Sequence, residues 1–520
     1  MDHPTAALPE RFNFARHILE LNVGRADKTA FIDDSGRLTY GELDRRVRCF
    51  AAGLLACGIR REERILLAMQ DTVDLPVAFL GALFAGVVPV PVNTLLPVDD
   101  YAYMIEHSGA KAVVVSPPLL PNIREALGKT DARPQVFVAG AAVGEQDVHT
   151  IDELLRTEAL PSDAYANTYA HDFAFWLYSS GSTGRPKGTV HSHGNLFWTA
   201  ELYAKPILGI RSDDIVFSAA KLFFAYGLGN GLTFPLSVGA TVILMAERPT
   251  PQAVFDRLTR HKPTIFYGVP TLYVAMLASE ALPRRDQVAM RICTSAGEAL
   301  PREVGDKFQK HFGCEILDGL GSTEMLHIFI SNRSGSVRYG TSGQPVPGYE
   351  VELRDDDNRT VAAGEIGDLY IRGPSAALLY WANRDKTRAT FLGDWLRSGD
   401  KYVVDADGYY SYAGRSDDML KVSGQYVSPI EVENVMIEHP AVLECAVIGK
   451  TDAEGLVKTA AYVVLAKGQT ASPALVDDLK AFVKERLTPH KYPREFQFVA
   501  DLPKTATGKI QRFKLRALQG

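Results

Sequence analysis

Residues 178–188 read Tyr-Ser-Ser-Gly-Ser-Thr-Gly-Arg-Pro-Lys-Gly, directly after the apolar, aromatic run Phe173-Ala174-Phe175-Trp176-Leu177. The run has the character of a buried strand, so the fold must bring that strand to a surface where the following loop can work. Gly181, Gly184 and Gly188 free the loop backbone, Ser179, Ser180, Ser182 and Thr183 supply hydroxyls, and Lys187 adds one positive charge. Exposed amides, hydroxyls and an ammonium suit a polyphosphate with many acceptor oxygens. The common P-loop places Gly-Lys before Ser or Thr on a first helical turn. Here Lys187 lies between Pro186 and Gly188, and proline has no amide to donate, so this is a phosphate loop of a different kind.

Around that loop the chain alternates strand-like and helix-like runs. Strands are expected at 64–69, 87–92, 111–116, 215–218, 241–245 and 264–267, with helices at 77–85, 99–107, from 195, and at 251–261. Such alternation implies a largely parallel α/β sheet with helices on its faces. From about Arg338 the pattern changes to short strands joined by Gly-Asp turns, at 350–353, 367–372 and 408–412. A compact mixed tail follows, with helices expected at 429–439 and 473–487. The expected fold class is therefore α/β with a β-rich subdomain, in two domains, a large one over 1–416 and a small α+β one over 417–520.

Length and composition narrow the function. A chain of 520 residues allows about three or four domain-sized units. Its net charge of -6 gives no basic footprint for nucleic acid. The five cysteines form no Cys-x-x-Cys pair and fit a reducing compartment, so a cytoplasmic location is expected. The uncharged stretch 75–92 is punctuated by Pro76, Pro89 and Pro91, which favours a buried helix and strand over a membrane span.

Four further segments carry chemical groups. In Asp318-Gly319-Leu320-Gly321-Ser322-Thr323-Glu324 the glycines permit close backbone approach, Thr323 offers a hydroxyl to a phosphate, and Glu324 offers a hard oxygen to magnesium. By itself the segment is equally consistent with a turn capping a helix. Asp400, in Arg397-Ser398-Gly399-Asp400, can accept from both hydroxyls of a ribose diol or serve as an ordinary turn residue. Arg415 precedes the polar stretch Ser416-Asp417-Asp418, and Lys509 sits in Lys504-Thr505-Ala506-Thr507-Gly508-Lys509 near the C-terminus. His191 and His193 are two apart with no third ligand nearby, which disfavours zinc; they read as packing or capping residues in a loop behind the phosphate loop.

The ordered set of these motifs, from about Thr39 to the C-terminus, resembles the adenylate-forming superfamily, which includes acyl-CoA synthetases, luciferases and the adenylation domains of peptide synthetases. The resemblance implies a large N-terminal adenylate-forming domain and a small, mobile C-terminal one. It assigns ATP and AMP binding to Ser179, Ser180, Gly181, Ser182, Thr183, Gly184, Lys187, Gly297, Glu298, Asp318, Gly319, Leu320, Thr323, Asp400 and Arg415. Glu324 would hold Mg2+. Lys509 would be catalytic together with Thr323 and Glu324, reaching the carboxylate and the α-phosphate during adenylate formation, where its charge acts electrostatically. Asp417 would be the hinge about which the small domain turns, exchanging Lys509 for Lys421, Ser423 and Gly424 at the CoA thioester step.

The acid pocket is expected from Phe224, Ala225, Tyr226 and Gly227, together with Gly321, His327 and Ile328. Many members of the family carry histidine where Phe224 stands. Aromatic walls with Ala225 between them leave room for a flat ring, and the runs Phe-Phe-Ala-Tyr-Gly and Thr-Glu-Met-Leu-His-Ile are most similar to benzoate-CoA ligases. The implied reaction joins an aromatic carboxylate, ATP and CoA, in a monomer or homodimer without nucleic acid or membrane. Alternatives are a ligase for 4-hydroxybenzoate or another acid, a stand-alone adenylation domain that loads a carrier protein, and a non-catalytic nucleotide- or acyl-binding module. Retention of Lys187, Thr323, Glu324, Asp400, Arg415 and Lys509 together argues against the last.

Overall fold

The computed structural model describes residues 7–140, 148–179, 185–416, 419–422, 425–451, 457–488, 491–504 and 510–517. Two compact units emerge. The first comprises Met1–Tyr339, Gly343–Glu350 and Arg372–Leu396; the second comprises Gly340–Ser342, Val351–Ile371 and Arg397–Gly520.

The first unit is built on three sheets. A parallel five-stranded sheet runs in the order Val88–Pro91, Arg64–Ala68, Ala112–Val115, Gln135–Val138, His149–Thr150. Its first three strands are largely apolar and buried, because both of their faces are covered, as parallel strands require. The uncharged stretch noted in the sequence becomes the helix Asp74–Phe84, every residue of which from Leu75 to Phe84 is buried, followed by the strand Val88–Pro91. No helix among the described residues is long and apolar enough to cross a membrane. A nine-stranded sheet holds the parallel neighbours Thr241–Ile243, Ile215–Ser218, Ile265–Gly268, Ile292–Ser295 and Ile316–Gly321, in that order, and ends on the antiparallel strands Ile328–Ser331 and Gln344–Pro345. Phe217, Phe266, Tyr273, Phe308 and Ile316 are among the side chains that fill the core beside it.

The third sheet corrects one expectation. Ahead of the helix near Asn195 the chain is not loop over residues 187–192. It returns as the strand Lys187–Ser192, antiparallel to Phe173–Ser179 in the register Ser179↔Lys187 and Phe175↔His191, with Leu379–Tyr380 on its other edge. His191 is therefore a strand residue, and His193 opens the helix His193–Thr199. Elsewhere the expected elements appear with ends shifted by one to a few residues.

The second unit is smaller and α+β. The strand Tyr410–Arg415 pairs antiparallel with Trp395–Val404, matching Asp400 to Arg415, and packs against the helix Pro429–Ile437. A sheet of Val442–Thr451, Val457–Leu465 and Glu495–Phe498 follows, with the helices Pro429–Ile437 and Pro473–Arg486 closing a core of Val432, Met436, Val447, Val463, Leu479 and Val483. Asp417, the expected hinge, lies outside the described residues.

Two charge pairs stand inside this unit. Lys504 Nζ lies 2.6 and 2.8 Å from the Glu444 carboxylate oxygens, and Arg512 Nη2 lies 2.6 and 2.8 Å from those of Glu433. Lys504 and Ile510 also form an isolated antiparallel bridge.

Candidate active site

Parallel α/β sheets bind ligands beyond the carboxyl ends of their strands, and here those ends carry the chemical motifs. Ser295, the last residue of its strand, is matched to Asp318 on the neighbouring strand and leads into Gly297 and Glu298. The Asp318 motif is thus not a helix cap. Its first four residues are strand, and the backbone turns back at Ser322 so that Gly321 pairs with Ile328. The turn contains Leu326 at φ 65, a left-handed conformation for a buried, bulky residue. Hydrogen bonds from Leu326 N to Thr323 O (3.1 Å) and His327 N to Met325 O (2.8 Å) hold it there. Strain of this kind costs roughly 1–3 kcal/mol and persists where the surroundings enforce it.

The hairpin and this turn are tied together. His191, fully buried and stacked on Phe175 at 5.1 Å, donates from Nε2 to Thr323 O at 2.8 Å. Burial lowers its pKa to about 4, so the ring is neutral near pH 7. Lys187 Nζ stands 4.6 Å over the Tyr380 ring, and the Tyr380 hydroxyl donates to Glu324 Oε1 at 2.7 Å. The predicted phosphate-loop cation and the predicted metal carboxylate therefore share one aromatic neighbour. Sequence reasoning missed Tyr380, since its pairing across the sheet leaves no trace in a Leu-Tyr-Trp run. Ser180, Gly181, Ser182, Thr183 and Gly184 lie outside the described residues.

Several of the residues expected to line the acid pocket also come together. Phe224 opens the helical turn Ala225–Leu228. The Tyr226 hydroxyl lies 2.5 Å from Thr294 Oγ1, and its carbonyl lies 3.2 Å from His327 Nε2. Burial drives the Tyr226 phenol well above its ordinary pKa, so it stays neutral. Gly227 cannot be larger, because a Cβ there would sit 2.0 Å from Lys221 O. The His327 ring packs 5.4 Å from Tyr226 and 4.4 Å from Phe234, and burial pushes its pKa down to about 3. With Nε2 donating to Tyr226 O, Nδ1 is a buried acceptor without a hydrogen-bond partner among the described residues. Such a group can accept a hydrogen bond from a hydroxyl. Asp318 is buried, accepts from Leu300 N at 3.4 Å, and has its pKa raised to about 8 by desolvation, so at neutral pH it is mostly a neutral acid.

In the second unit, Asp400 is a strand residue rather than a turn residue, and Arg415 Nη1 lies 3.0 Å from its Oδ1. The preceding Gly399 takes φ 77, a conformation glycine adopts without penalty. The backbone of Lys421 belongs to the strand Leu420–Val422, while Ser423, Gly424 and Lys509 lie outside the described residues.

A parallel sheet carrying Thr-Glu and Gly-rich motifs at its edge, followed by a small α+β unit, defines an adenylate-forming enzyme. The chain belongs to this family: residues 20–381 match the model described as AMP-binding enzyme, and residues 431–509 match the AMP-binding enzyme C-terminal domain. It is 58% identical over 518 residues to a benzoate–CoA ligase of Thauera aromatica, covering 99% of this chain and 97% of that one. It is 47% identical to a 4-hydroxybenzoate–CoA/benzoate–CoA ligase of Rhodopseudomonas palustris, covering 98% and 94%. The crystal structure of a benzoate CoA ligase from Burkholderia xenovorans superposes with a TM-score of 0.90 at 63% identity, covering 97% of this chain and all of that one.

Proposed function

We propose that this protein is an ATP-dependent aryl-CoA ligase that converts benzoate, ATP and CoA into benzoyl-CoA, AMP and diphosphate. The observation that carries the reading is the junction of an aromatic pocket wall, Phe224 to Gly227, with the strand ends that bear Thr294–Glu298 and Asp318–Glu324, through the Tyr226–Thr294 hydrogen bond. In the first step a carboxylate oxygen attacks the α-phosphorus and diphosphate leaves. In the second, a thiol sulfur attacks the acyl carbonyl, AMP leaves, and the thiol proton is released to solvent.

Lys187 and the hydroxyls of the loop would hold the leaving phosphates, while Thr323 would donate to the α-phosphate. Asp400 would accept from the ribose, with Arg415 fixing its carboxylate. Lys509 would offset the charge that grows on the α-phosphoryl oxygens. The donor set at Glu324 fits Mg2+, which binds through one or two carboxylates plus substrate phosphates. One Glu324 oxygen accepts from Tyr380, and among the described residues no group of three or more His, Cys, Asp or Glu side chains could cage an ion. The ion would neutralise phosphate charge there. Residues 1–416 act as the adenylate-forming domain and 417–520 as the mobile one, turning at Asp417 to bring Lys421, Ser423 and Gly424 to the thioester step. We place the enzyme in the cytoplasm, as a monomer or homodimer.

A second reading, activity on 4-hydroxybenzoate, is favoured by the buried acceptor at His327 Nδ1. Incubation with MgATP, CoA and each acid, with products identified by mass, tests both readings. Benzoyl-CoA with AMP supports the first. AMP and diphosphate without a thioester would instead indicate a carrier-protein acceptor, and turnover confined to another acid would discard the pocket assignment.

A further inference from the structure

One buried carboxylate has no part in the chemistry above. Asp71 follows the strand Arg64–Ala68, is 4% exposed, and directs both oxygens at the backbone amide of Leu222, at 3.2 and 3.3 Å. Leu222 lies in the tight turn that introduces the acid pocket: Phe224 N donates to Lys221 O at 3.0 Å, and the close approach of Gly227 to Lys221 O folds the turn back on itself. Ala225 and Tyr226 are carried on that fold-back. The Lys221 ammonium is the opposite charge that faces Asp71, and it is itself held by the carbonyls of Met245 and Glu247, the latter at 2.6 Å. Around the lysine stand Glu247, Arg257 and Asp34, and Asp33 accepts from Val73 N two residues along from Asp71.

A carboxylate is a strong acceptor for an amide, and an amide left without it when buried is expensive. The position of the pocket turn thus depends on a group that belongs to a different sheet and does not belong to the pocket assignment.

We infer that Asp71 is a positioning residue for the aromatic acid, fixing the Leu222 amide and through it the wall formed by Phe224, Ala225 and Tyr226. The inference rests on the pocket assigned above. Its charged form makes the stronger bond to Leu222 and attracts Lys221. Burial raises its pKa from 3.8 to about 6, so the charge is present above that pH and is lost as pH falls through it.

The test is steady-state kinetics of the full chain with benzoate, comparing wild type, Asp71→Asn and Asp71→Ala across pH 5 to 8, with thermal melts as a check on folding. Wild type should show kcat/KM for benzoate falling on the acid side near pH 6, beyond any change in kcat/KM for ATP. Asp71→Asn should raise the KM for benzoate on the order of tenfold, leave the KM for ATP within about twofold, and lack the acid limb. If Asp71→Ala fails to fold, the pH profile of Asp71→Asn decides alone. An unchanged benzoate KM with the limb retained, or equal rises in both KM values, overturns the inference. Failure of wild type to turn over benzoate overturns the functional reading instead, and the same comparison is then made with the aromatic acid that is turned over.

Discussion

Replacing Arg512 with methionine should destabilise the second unit strongly, for a reason visible in one ion pair. The Arg512 side chain is 11% exposed and Glu433 6%, and both Glu433 oxygens lie within 2.8 Å of Nη2. Glu433 Oε1 also accepts from Val447 N at 2.6 Å, so the carboxylate cannot swing to solvent without breaking the bond to the strand Val442–Thr451. Removing the guanidinium leaves a buried charge uncompensated, a loss of about 3–5 kcal/mol. Amide hydrogen exchange at Val447 is the appropriate assay, because it reads the stability around the ion pair itself, whereas a chain of two compact units need not unfold in one two-state step. Protection at Val447 should fall by a factor on the order of 100 or more. Glu433→Gln combined with Arg512→Met should recover part of it, since the stranded charge is then gone, giving a coupling energy on the order of 1–3 kcal/mol. A single substitution that costs less than about 1 kcal/mol, a value typical of exposed pairs, would refute the reasoning, as would strictly additive effects in the double variant.

Other outcomes follow from the site. Lys509→Ala should abolish adenylate formation while sparing thioester formation from premade benzoyl-adenylate; equal loss in both half-reactions, measured separately, would remove its assigned role. Gly227→Ala places a Cβ 2.0 Å from Lys221 O and so must displace backbone, raising the KM for benzoate by about 100-fold with a smaller change for ATP, readable by initial rates. Asp318→Asn should alter the pH dependence of stability. The native carboxyl, with a pKa near 8 against the ordinary 3.8, holds a proton that the unfolded chain has released between those values. Stability therefore falls as pH rises through that window, by at most about 1.4 kcal/mol per pH unit. The asparagine variant loses that contribution, and melts from pH 5 to 9 that ran parallel to wild type would contradict it.

Much of this fold is legible in the sequence because its strands are parallel and buried, and so read as unbroken apolar runs between polar-capped helices. The strand Lys187–Ser192 escapes such reading. Its Gly-Thr-Val-His-Ser composition carries no apolar alternation, and its stability comes from neighbours on both sides, Phe173–Ser179 and Leu379–Tyr380. The strand position of Asp400 is hidden for a related reason: Ser398-Gly399-Asp400 has the composition of a turn, yet pairing with Tyr410–Arg415 holds it in a strand. Around the proposed pocket, the side chains assigned to the acid are marked by local motifs. The groups behind them, Thr294, Tyr380 and Asp71, act across sheets, and nothing in their flanking residues announces it.

The Tyr226–Thr294 hydrogen bond also bears on how acid preference drifts in descendants of this chain. Thr294 lies on the strand whose next residues run into Gly297 and Glu298, so a substitution at Tyr226 should also disturb the part of the scaffold proposed to hold the nucleotide. Among the described residues, the apolar side chains of Phe224 and Ala225 make no hydrogen bond to those strand ends. Gene families that diversify from this scaffold should therefore accumulate their early changes at Phe224 and Ala225, with Tyr226 altered only alongside a compensating change at Thr294.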